Sequence, residues 1–110
     1  MYVLIDDLRD INKMTADHVL DDEKLTIRTF EDGMKYVKFT NLTDITLFMD
    51  NDLGTYDGEG YDILSYAIDH GNFPKTIVLV TSNSVALARM KQMLLHSNKY
   101  SQLGSIFTRR

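Results

Sequence analysis

Three short apolar runs, each the length of a β-strand, restrict the folds open to this chain. They occupy residues 2–5, 45–49 and 76–80 and are apolar or β-branched throughout, without the alternation of a surface strand. Uninterrupted apolar strands are typical of a parallel sheet that is buried on both faces. Residues 25–30 instead alternate between apolar and polar side chains, which predicts a half-exposed or edge strand.

The stretches between these runs carry helical signals. Two acids at residues 31–32 begin one helical stretch, and apolar residues recur at helical spacing over residues 61–68. Gly71 is the predicted residue just past the end of the second helix. Ser84 is the predicted N-cap of a third helix, whose apolar face follows over residues 87–94.

Strands that alternate with helices predict one α/β domain over residues 1–110. We expect a three-layer, flavodoxin-like domain, a sheet of five parallel strands in the order 2-1-3-4-5 with both faces covered. Residues 8–22 would supply a short helix or an irregular crossing, and residues 106–107 the fifth strand. In sheets of this kind ligands bind beyond the carboxyl ends of the strands.

The composition excludes several classes of protein. Hydrophobic residues make up 44% and charged residues 25% of the 110 residues, which is ordinary for a globular domain and foreign to a disordered chain. Twelve Lys and Arg against sixteen Asp and Glu leave a net charge of −4, which disfavours non-specific binding to nucleic acid. Because there is no cysteine, disulfide scaffolds and thiolate zinc sites are ruled out.

The hydropathy pattern bears on where the protein would be found. No apolar run approaches the roughly 20 residues that a membrane span needs, and the first residues do not resemble a signal or transit peptide. We therefore expect a cytoplasmic protein that does not bind membranes.

Four carboxylates follow the first and third strands. Asp6 and Asp7 close the first strand, and Asp50 and Asp52 close the third. Because the carboxyl ends of neighbouring parallel strands share one edge of a sheet, these like charges would repel unless a cation lay among them. Carboxylate oxygens suit Mg²⁺, with Mn²⁺ or Ca²⁺ as substitutes. Capping of turns or helices would explain any one of these residues, and explains all four together poorly.

Hydroxyl and amide side chains follow the fourth strand. Thr81 and Asn83 stand ahead of a helix whose amino end favours anions, so they are candidates to bind a phosphoryl group. Their alternative role is to end the strand and cap the helix. Arg9 and Arg109, which follow the first and last strands, are candidates for charge-assisted contacts to phosphoryl oxygens, or else are solvated.

The remaining patterns are negative or open to two interpretations. Residues 75–110 contain Lys and Arg but no acid, which indicates a solvated basic face or one wall of an anion pocket. The loop after the third strand runs through Thr55, and the spacing of its glycines, Gly54, Gly58 and Gly60, matches neither a P-loop nor a dinucleotide-binding motif. The three histidines lie too far apart in sequence to suggest zinc.

Together these motifs resemble the cyclic-phosphate-processing receiver domains, relatives of the phospho-acceptor receiver domain of two-component signalling. The family's D-D-x-R motif stands here as residues 6–9, and its D-H-D-L-G motif as residues 50–54. The family segment H-S-x-N that follows strand four corresponds to residues 80–83. Two family histidines are absent, because Asn51 and Val80 stand in their places.

The resemblance implies a divalent-metal-dependent phosphoesterase-like protein that acts on a cyclic phosphate from RNA or nucleotide metabolism. In that interpretation Mg²⁺ or Mn²⁺ is held by Asp6, Asp7 and Asp50. Asp50 is the candidate nucleophile and Asp52 the candidate base. The phosphoryl group is oriented by Thr81 and Asn83, with its charge offset by Arg9 and Arg109.

Two other functions remain open at the level of sequence. One is a stand-alone receiver-like signalling or binding module that takes up phosphate at Asp50 or docks a protein partner. The other is a catalytically inactive descendant, encoded by a phage or another mobile element, that retains a ligand or binds a host protein. The loss of both family histidines supports these two alternatives, because an imidazole is the usual group for moving protons near neutral pH.

Overall fold

A computed structural model describes residues 1–54 and 58–110 of the chain, so part of the loop predicted through Thr55 lies outside the described residues. Within them, the strands are β1 (Tyr2–Ile5), β2 (Lys24–Ile27), β3 (Thr46–Met49), β4 (Thr76–Leu79), β5 (Tyr100–Leu103) and β6 (Ile106–Arg109). The α-helices are α1 (Phe30–Phe39), α2 (Gly60–Asp69) and α3 (Ser84–His96). This part of the chain contains no helix that is both long enough and apolar enough to cross a membrane.

The six strands form one sheet in the order β2-β1-β3-β4-β6-β5. β1 lies between β2 and β3, and β4 follows β3, all in parallel, with Ile5 opposite both Ile27 and Met49. The predicted α/β, receiver-like fold class and the parallel order of the first four strands are thereby confirmed. The strand count is not, because the sheet ends in an antiparallel pair in which β6 lies between β4 and β5.

The hairpin of β5 and β6 has a local cause. Only Gly104 and Ser105 separate the two strands, and Gly104 has a φ of +60°, the left-handed conformation that two-residue hairpins require. The chain therefore turns back at once, and the predicted fifth strand at residues 106–107 runs antiparallel to β4. β5 itself contains Ser101 and Gln102 at its centre and gave no apolar signal in the sequence.

The helix ends agree closely with the sequence signals, with one correction. Thr29 caps α1 by accepting a hydrogen bond from the N–H of Asp32, and Gly71 follows α2 with a φ of +68°. Asn83, not Ser84, caps α3, because its side-chain oxygen accepts from the N–H of Ala86 at 3.1 Å. Ser84 is instead the first residue of that helix.

The described helices all pack on the same face of the sheet, so the expected three layers are a layer of helices, the sheet and an irregular segment that covers part of the second face. α2 contacts α1 on one side and α3 on the other, and the core beneath them includes Ile5, Met49, Ile77 and Phe107 from the strands. On the opposite face Leu4 and Phe48 are covered by Ile11. The stretch predicted as a short helix or an irregular crossing is thus irregular chain with two short 3₁₀ turns, Ile11–Lys13 and Asp21–Glu23.

One row of side chains crosses this second face from edge to edge. Its members are directly paired neighbours on successive strands: Thr26, Leu4, Phe48, Val78, Ile106 and Leu103. Leu4, the second residue of the row, is fully buried, whereas Leu103 at the far end is 79% exposed. The irregular segment therefore covers only part of the face, and the hairpin end is left open to solvent.

Gly60 lies where α2 begins against the end of β3. Its N–H donates to the carbonyl of Asn51 at 2.8 Å, and a Cβ added there would overlap the carbonyl oxygen of Asp50. We expect Gly60→Ala to lower the free energy of unfolding by about 2–3 kcal/mol. The added methyl group would meet backbone, which cannot move aside as the end of a flexible side chain can. Urea denaturation measures the change.

Gly104→Ala is the matched control. Gly104 has a positive φ, and a Cβ there would meet nothing within 4 Å, so only the cost of the left-handed conformation applies, about 1–2 kcal/mol. If Gly60→Ala lowers the free energy of unfolding by less than Gly104→Ala does, then α2 does not lie this close to Asp50 at the end of β3.

Candidate functional site

Parallel pairing brings the ends of β1 and β3 together. The N–H of Asp6 donates to the carbonyl of Ile27, and the N–H of Asp50 donates to the carbonyl of Ile5, each at 3.0 Å. Both acids therefore continue their strands by one residue, and their side chains are buried. One carboxylate oxygen from each of Asp6, Asp7 and Asp50 lies within 4.8 Å of the others, so the predicted cluster of these three is present.

Asp6 is the best compensated of these acids. Its Oδ1 accepts from the N–H of Leu8 at 2.9 Å and of Arg9 at 3.1 Å, and its Oδ2 accepts from Nη1 of Arg9 at 2.8 Å. Burial alone would raise the pKa of Asp6, but the bonds from the Arg9 side chain and the two backbone N–H groups outweigh it. The pKa of Asp6 therefore lies below its usual value, and the residue is ionised.

Asp50 is shifted in the opposite direction. Burial, joined by the negative charge of Asp6, raises the pKa of Asp50 above its usual value. The hydrogen bond from the N–H of Asn51, at 2.8 Å, and the nearby side chain of Thr81 offset only part of this rise in pKa. Nη1 of Arg9 lies 3.4 Å from Oδ2 of Asp50, so one guanidinium contacts both buried carboxylates.

Arg28 is a residue of this site that sequence reasoning missed. It follows β2, and its Nη1 donates to the carbonyl oxygen of Arg9 at 2.7 Å and to that of Asp6 at 3.3 Å. The side chain of Arg28 thus holds the loop after β1 by binding two of that loop's backbone carbonyl groups. Its position directly after the second strand could have indicated this, because residues that follow parallel strands lie at the same edge of the sheet as the acids.

An open cleft of about 360 Å³ lies over these side chains. It is lined by Asp6, Asp7, Leu8, Arg9, Asp50, Asp52 and Ser82. The side chains of Asp52 and Ser82 are exposed there.

Thr81 and Asn83 do not line the cleft. The hydroxyl of the buried Thr81 accepts from the N–H of Asn83 at 3.1 Å. The side-chain oxygen of Asn83 is used as the cap of α3. Of the polar side chains after β4, Ser82 is therefore the one placed to meet a ligand.

Arg109 lies at the opposite edge of the sheet. Because β6 runs antiparallel, its last residue stands beside the amino end of β4, and the N–H of Arg109 donates to the carbonyl of Lys75 at 2.9 Å. Nη1 of Arg109 donates to the carbonyls of Thr43 and Phe73, both at 2.8 Å. The predicted phosphoryl contact from Arg109 depended on a parallel last strand, and the hairpin removes it.

The two residues that replace family histidines do not line the cleft, although Nδ2 of Asn51 lies 3.5 Å from Oδ1 of Asp52, which does. Asn51 is 1% exposed, and its Oδ1 accepts from the N–H of Tyr61 at 3.0 Å, which ties the loop after β3 to the start of α2. Val80 packs against the cluster of Leu4 and Phe48 on the second face of the sheet. Neither position contributes a side chain to the described cleft.

The donor set fits a divalent metal. Three carboxylates converge within bridging distance, two of them buried, and such oxygen donors are typical ligands of hard cations such as Mg²⁺ and Mn²⁺. The site could therefore bind a metal ion.

Comparison with protein families matches residues 1–96 to the model described as the cyclic-phosphate processing Receiver domain. No curated protein and no solved structure matches the chain. The matched residues run from β1 to the end of α3, so they include every residue of the cleft and leave out the terminal hairpin.

The raised pKa of Asp50 makes stability depend on pH. A group whose pKa is higher in the folded than in the unfolded protein binds its proton more tightly when folded, so stability falls as the pH rises from about 4 through the folded pKa. We expect Asp50→Asn to raise Tm at pH 7 in metal-free buffer, because the neutral amide replaces a carboxylate whose charged form burial disfavours.

This gain should vanish near pH 3, where Asp50 is protonated in both states. Asp52→Asn removes the same charge from an exposed side chain of the same cleft and should change Tm much less. Thermal melts followed by circular dichroism at both pH values measure the effect. Equal gains for the two variants would contradict the burial argument.

The position of Arg109 predicts a purely structural role. Arg109→Ala should lower the free energy of unfolding by about 1–2 kcal/mol through loss of its two carbonyl contacts, without changing the affinity of the cleft for inorganic phosphate. Arg110→Ala, a change at the exposed neighbour, should alter neither. A loss of phosphate affinity in Arg109→Ala that matched Arg9→Ala would contradict this assignment.

Proposed function

This chain belongs to the family of cyclic-phosphate-processing receiver domains, and from that premise we propose that it is a metal-dependent phosphoesterase that opens a cyclic phosphate from RNA or nucleotide metabolism. The observation that carries the proposal is the convergence of Asp6, Asp7 and Asp50 with a guanidinium in one open cleft. Carboxylates for a metal and a cation for an anion are the groups that phosphoryl chemistry requires.

The proposal gives the carboxylates the metal-binding role. Asp6, Asp7 and Asp50 would hold Mg²⁺ or Mn²⁺, and the bound ion would supply a positive charge that withdraws electron density from a phosphoryl oxygen. Asp6 is suited to this role because its lowered pKa keeps it ionised at neutral pH.

The other side chains of the cleft would bind the substrate and move a proton. Arg9 offsets the charge of the phosphoryl group, and the exposed hydroxyl of Ser82 donates to it. Thr81 is a positioning residue, because its hydroxyl accepts from the N–H of Asn83 and so holds the turn that presents Ser82. This differs from the sequence expectation, which gave phosphoryl binding to Thr81 and Asn83.

Asp52 is the better candidate for the general base. It is exposed in the cleft, and among the described residues only Nδ2 of Asn51, at 3.5 Å, contacts it, whereas both oxygens of Asp50 have partners in Asn51 and Arg9. Water would attack phosphorus and give its proton to Asp52, while one ring P–O bond breaks and the leaving oxygen is protonated by solvent. The product is a phosphomonoester. Asp50 as the nucleophile remains the alternative assignment.

A second candidate function is uptake of phosphate without turnover. In the described part of the chain no histidine lines the cleft, and neither Asn51 nor Val80, which replace the family histidines, is among its lining residues. This favours a receiver-like module that accepts a phosphoryl group at Asp50, or a protein that binds a phosphorylated ligand and keeps it.

Product mapping by phosphorus NMR tests the proposal. The protein is incubated with 2′,3′-cyclic nucleotides and ADP-ribose cyclic phosphate, with Mg²⁺, Mn²⁺ or EDTA. We expect a phosphomonoester to accumulate over many turnovers only with metal, and Asp52→Asn to slow it by about 10²–10⁴-fold. Asp69→Asn, which removes an exposed acid of α2, should leave the rate unchanged.

Acetyl phosphate in a parallel experiment separates the two candidates. A stoichiometric acyl phosphate that is lost in Asp50→Asn, without turnover of any cyclic phosphate, would favour the receiver-like module. Turnover that persists in EDTA, or that survives the double change Asp6→Ala with Asp7→Ala, would overturn the metal assignment.

A further inference from the structure

Arg9 occupies the oxygens that a metal would need. Its Nη1 lies 2.8 Å from Oδ2 of Asp6 and 3.4 Å from Oδ2 of Asp50, so a single nitrogen bridges the two buried carboxylates. In the part of the chain that the structure describes, no other cationic side chain pairs with these two acids. The guanidinium is therefore their internal counter-ion.

The two oxygens of each carboxylate, in Asp6 and in Asp50, have different partners. Oδ1 of Asp6 accepts from the backbone N–H groups of Leu8 and Arg9, and Oδ1 of Asp50 accepts from the N–H of Asn51. Only the two Oδ2 atoms face Arg9. A competing cation can take this pair of oxygens without breaking any of the backbone bonds that hold the loops.

The Arg9 side chain can leave while its backbone stays. Its N–H is held by Asp6, and its carbonyl accepts from Arg28 at 2.7 Å, so the main chain is fixed on both sides of the side chain. The Arg9 side chain is 35% exposed and lines the cleft, so rotation of its bonds moves the guanidinium toward solvent and the ligand space.

We propose that Arg9 exchanges with the metal: a divalent ion displaces the guanidinium from Oδ2 of Asp6 and Asp50, and the released guanidinium turns into the cleft to bind a phosphoryl oxygen. The proposal rests on the metal binding of the proposed function. It goes further by making one residue the counter-ion of the acids without metal and the anion-binding group with metal.

The exchange keeps the buried charge compensated throughout. An ionised carboxylate out of water is costly unless a cation or hydrogen-bond donors face it, and Asp6 and Asp50 have Arg9 in one state and the metal in the other. With the metal in place, the displaced guanidinium is left without its carboxylate partners and attracts an anion. Metal and phosphoryl ligand therefore bind with positive coupling, which must be reciprocal.

The test is a Mg²⁺ titration with and without inorganic phosphate, followed by ¹H–¹⁵N NMR on wild type, Arg9→Gln and Lys35→Gln. Phosphate should tighten Mg²⁺ binding to the wild type about tenfold, within the usual range of coupling between sites. Arg9→Gln should bind Mg²⁺ tightly without phosphate and gain much less from phosphate than wild type does, because only the direct contact between metal and phosphate is left. Lys35→Gln, which removes the same charge from a side chain 63% exposed on α1, should behave as wild type.

The Nε–Hε signal of Arg9 reports the exchange directly. It is assigned by its absence in Arg9→Gln, and it should move toward the position of a free guanidinium when wild type is saturated with Mg²⁺ in the absence of phosphate. A role limited to long-range electrostatics would leave the signal in place.

The outcomes separate the two proposals. If Mg²⁺ binds to wild type but the Arg9 signal does not move, or if phosphate tightens Mg²⁺ binding equally in Arg9→Gln, the exchange is overturned and the metal site stands. If neither wild type nor Arg9→Gln binds Mg²⁺, the metal site of the proposed function fails and the exchange fails with it.

Discussion

The buried charge of Asp6 is the constraint on which the rest of the site depends. An ionised carboxylate with 0% exposure must be met by hydrogen bonds, and the chain after β1 supplies them by winding back so that two backbone N–H groups and one guanidinium point at it. Arg28 then fixes that loop from the neighbouring strand. The same charge helps to raise the pKa of Asp50, so two adjacent carboxylates acquire opposite tendencies.

Much of the fold could be predicted because its signals are local. The apolar runs that became β1, β3 and β4 pair in one register, and Gly71 ends α2 with the positive φ that its position requires. The terminal hairpin could not be predicted, because Ser101 and Gln102 lack an apolar pattern and the direction of β6 depends on a two-residue turn. Direction of pairing is a tertiary property that periodicity does not encode.

The candidate site was predictable to the extent that it follows from parallel strands. Asp6, Asp7 and Asp50 come together because strand ends share an edge, which needs no knowledge of side-chain conformation. The roles of Asn83 and Asn51 could not be predicted without knowing their side-chain conformations. An amide can cap a helix, bridge two loops or bind a ligand with the same atoms.

The placement of every described helix on one face has an electrostatic consequence. Each of the three follows a parallel strand, so all begin at the edge that holds the acids and end at the opposite edge. Their macrodipoles add rather than cancel, with about half a positive charge per helix at the acidic edge. The carbonyls of Thr43 and Phe73, beyond the carboxyl ends of α1 and α2, meet Arg109. The molecule therefore has a dipole along the direction of its strands. Although the net charge of the protein is negative, the positive ends of its helices lie at the edge where an anion would bind.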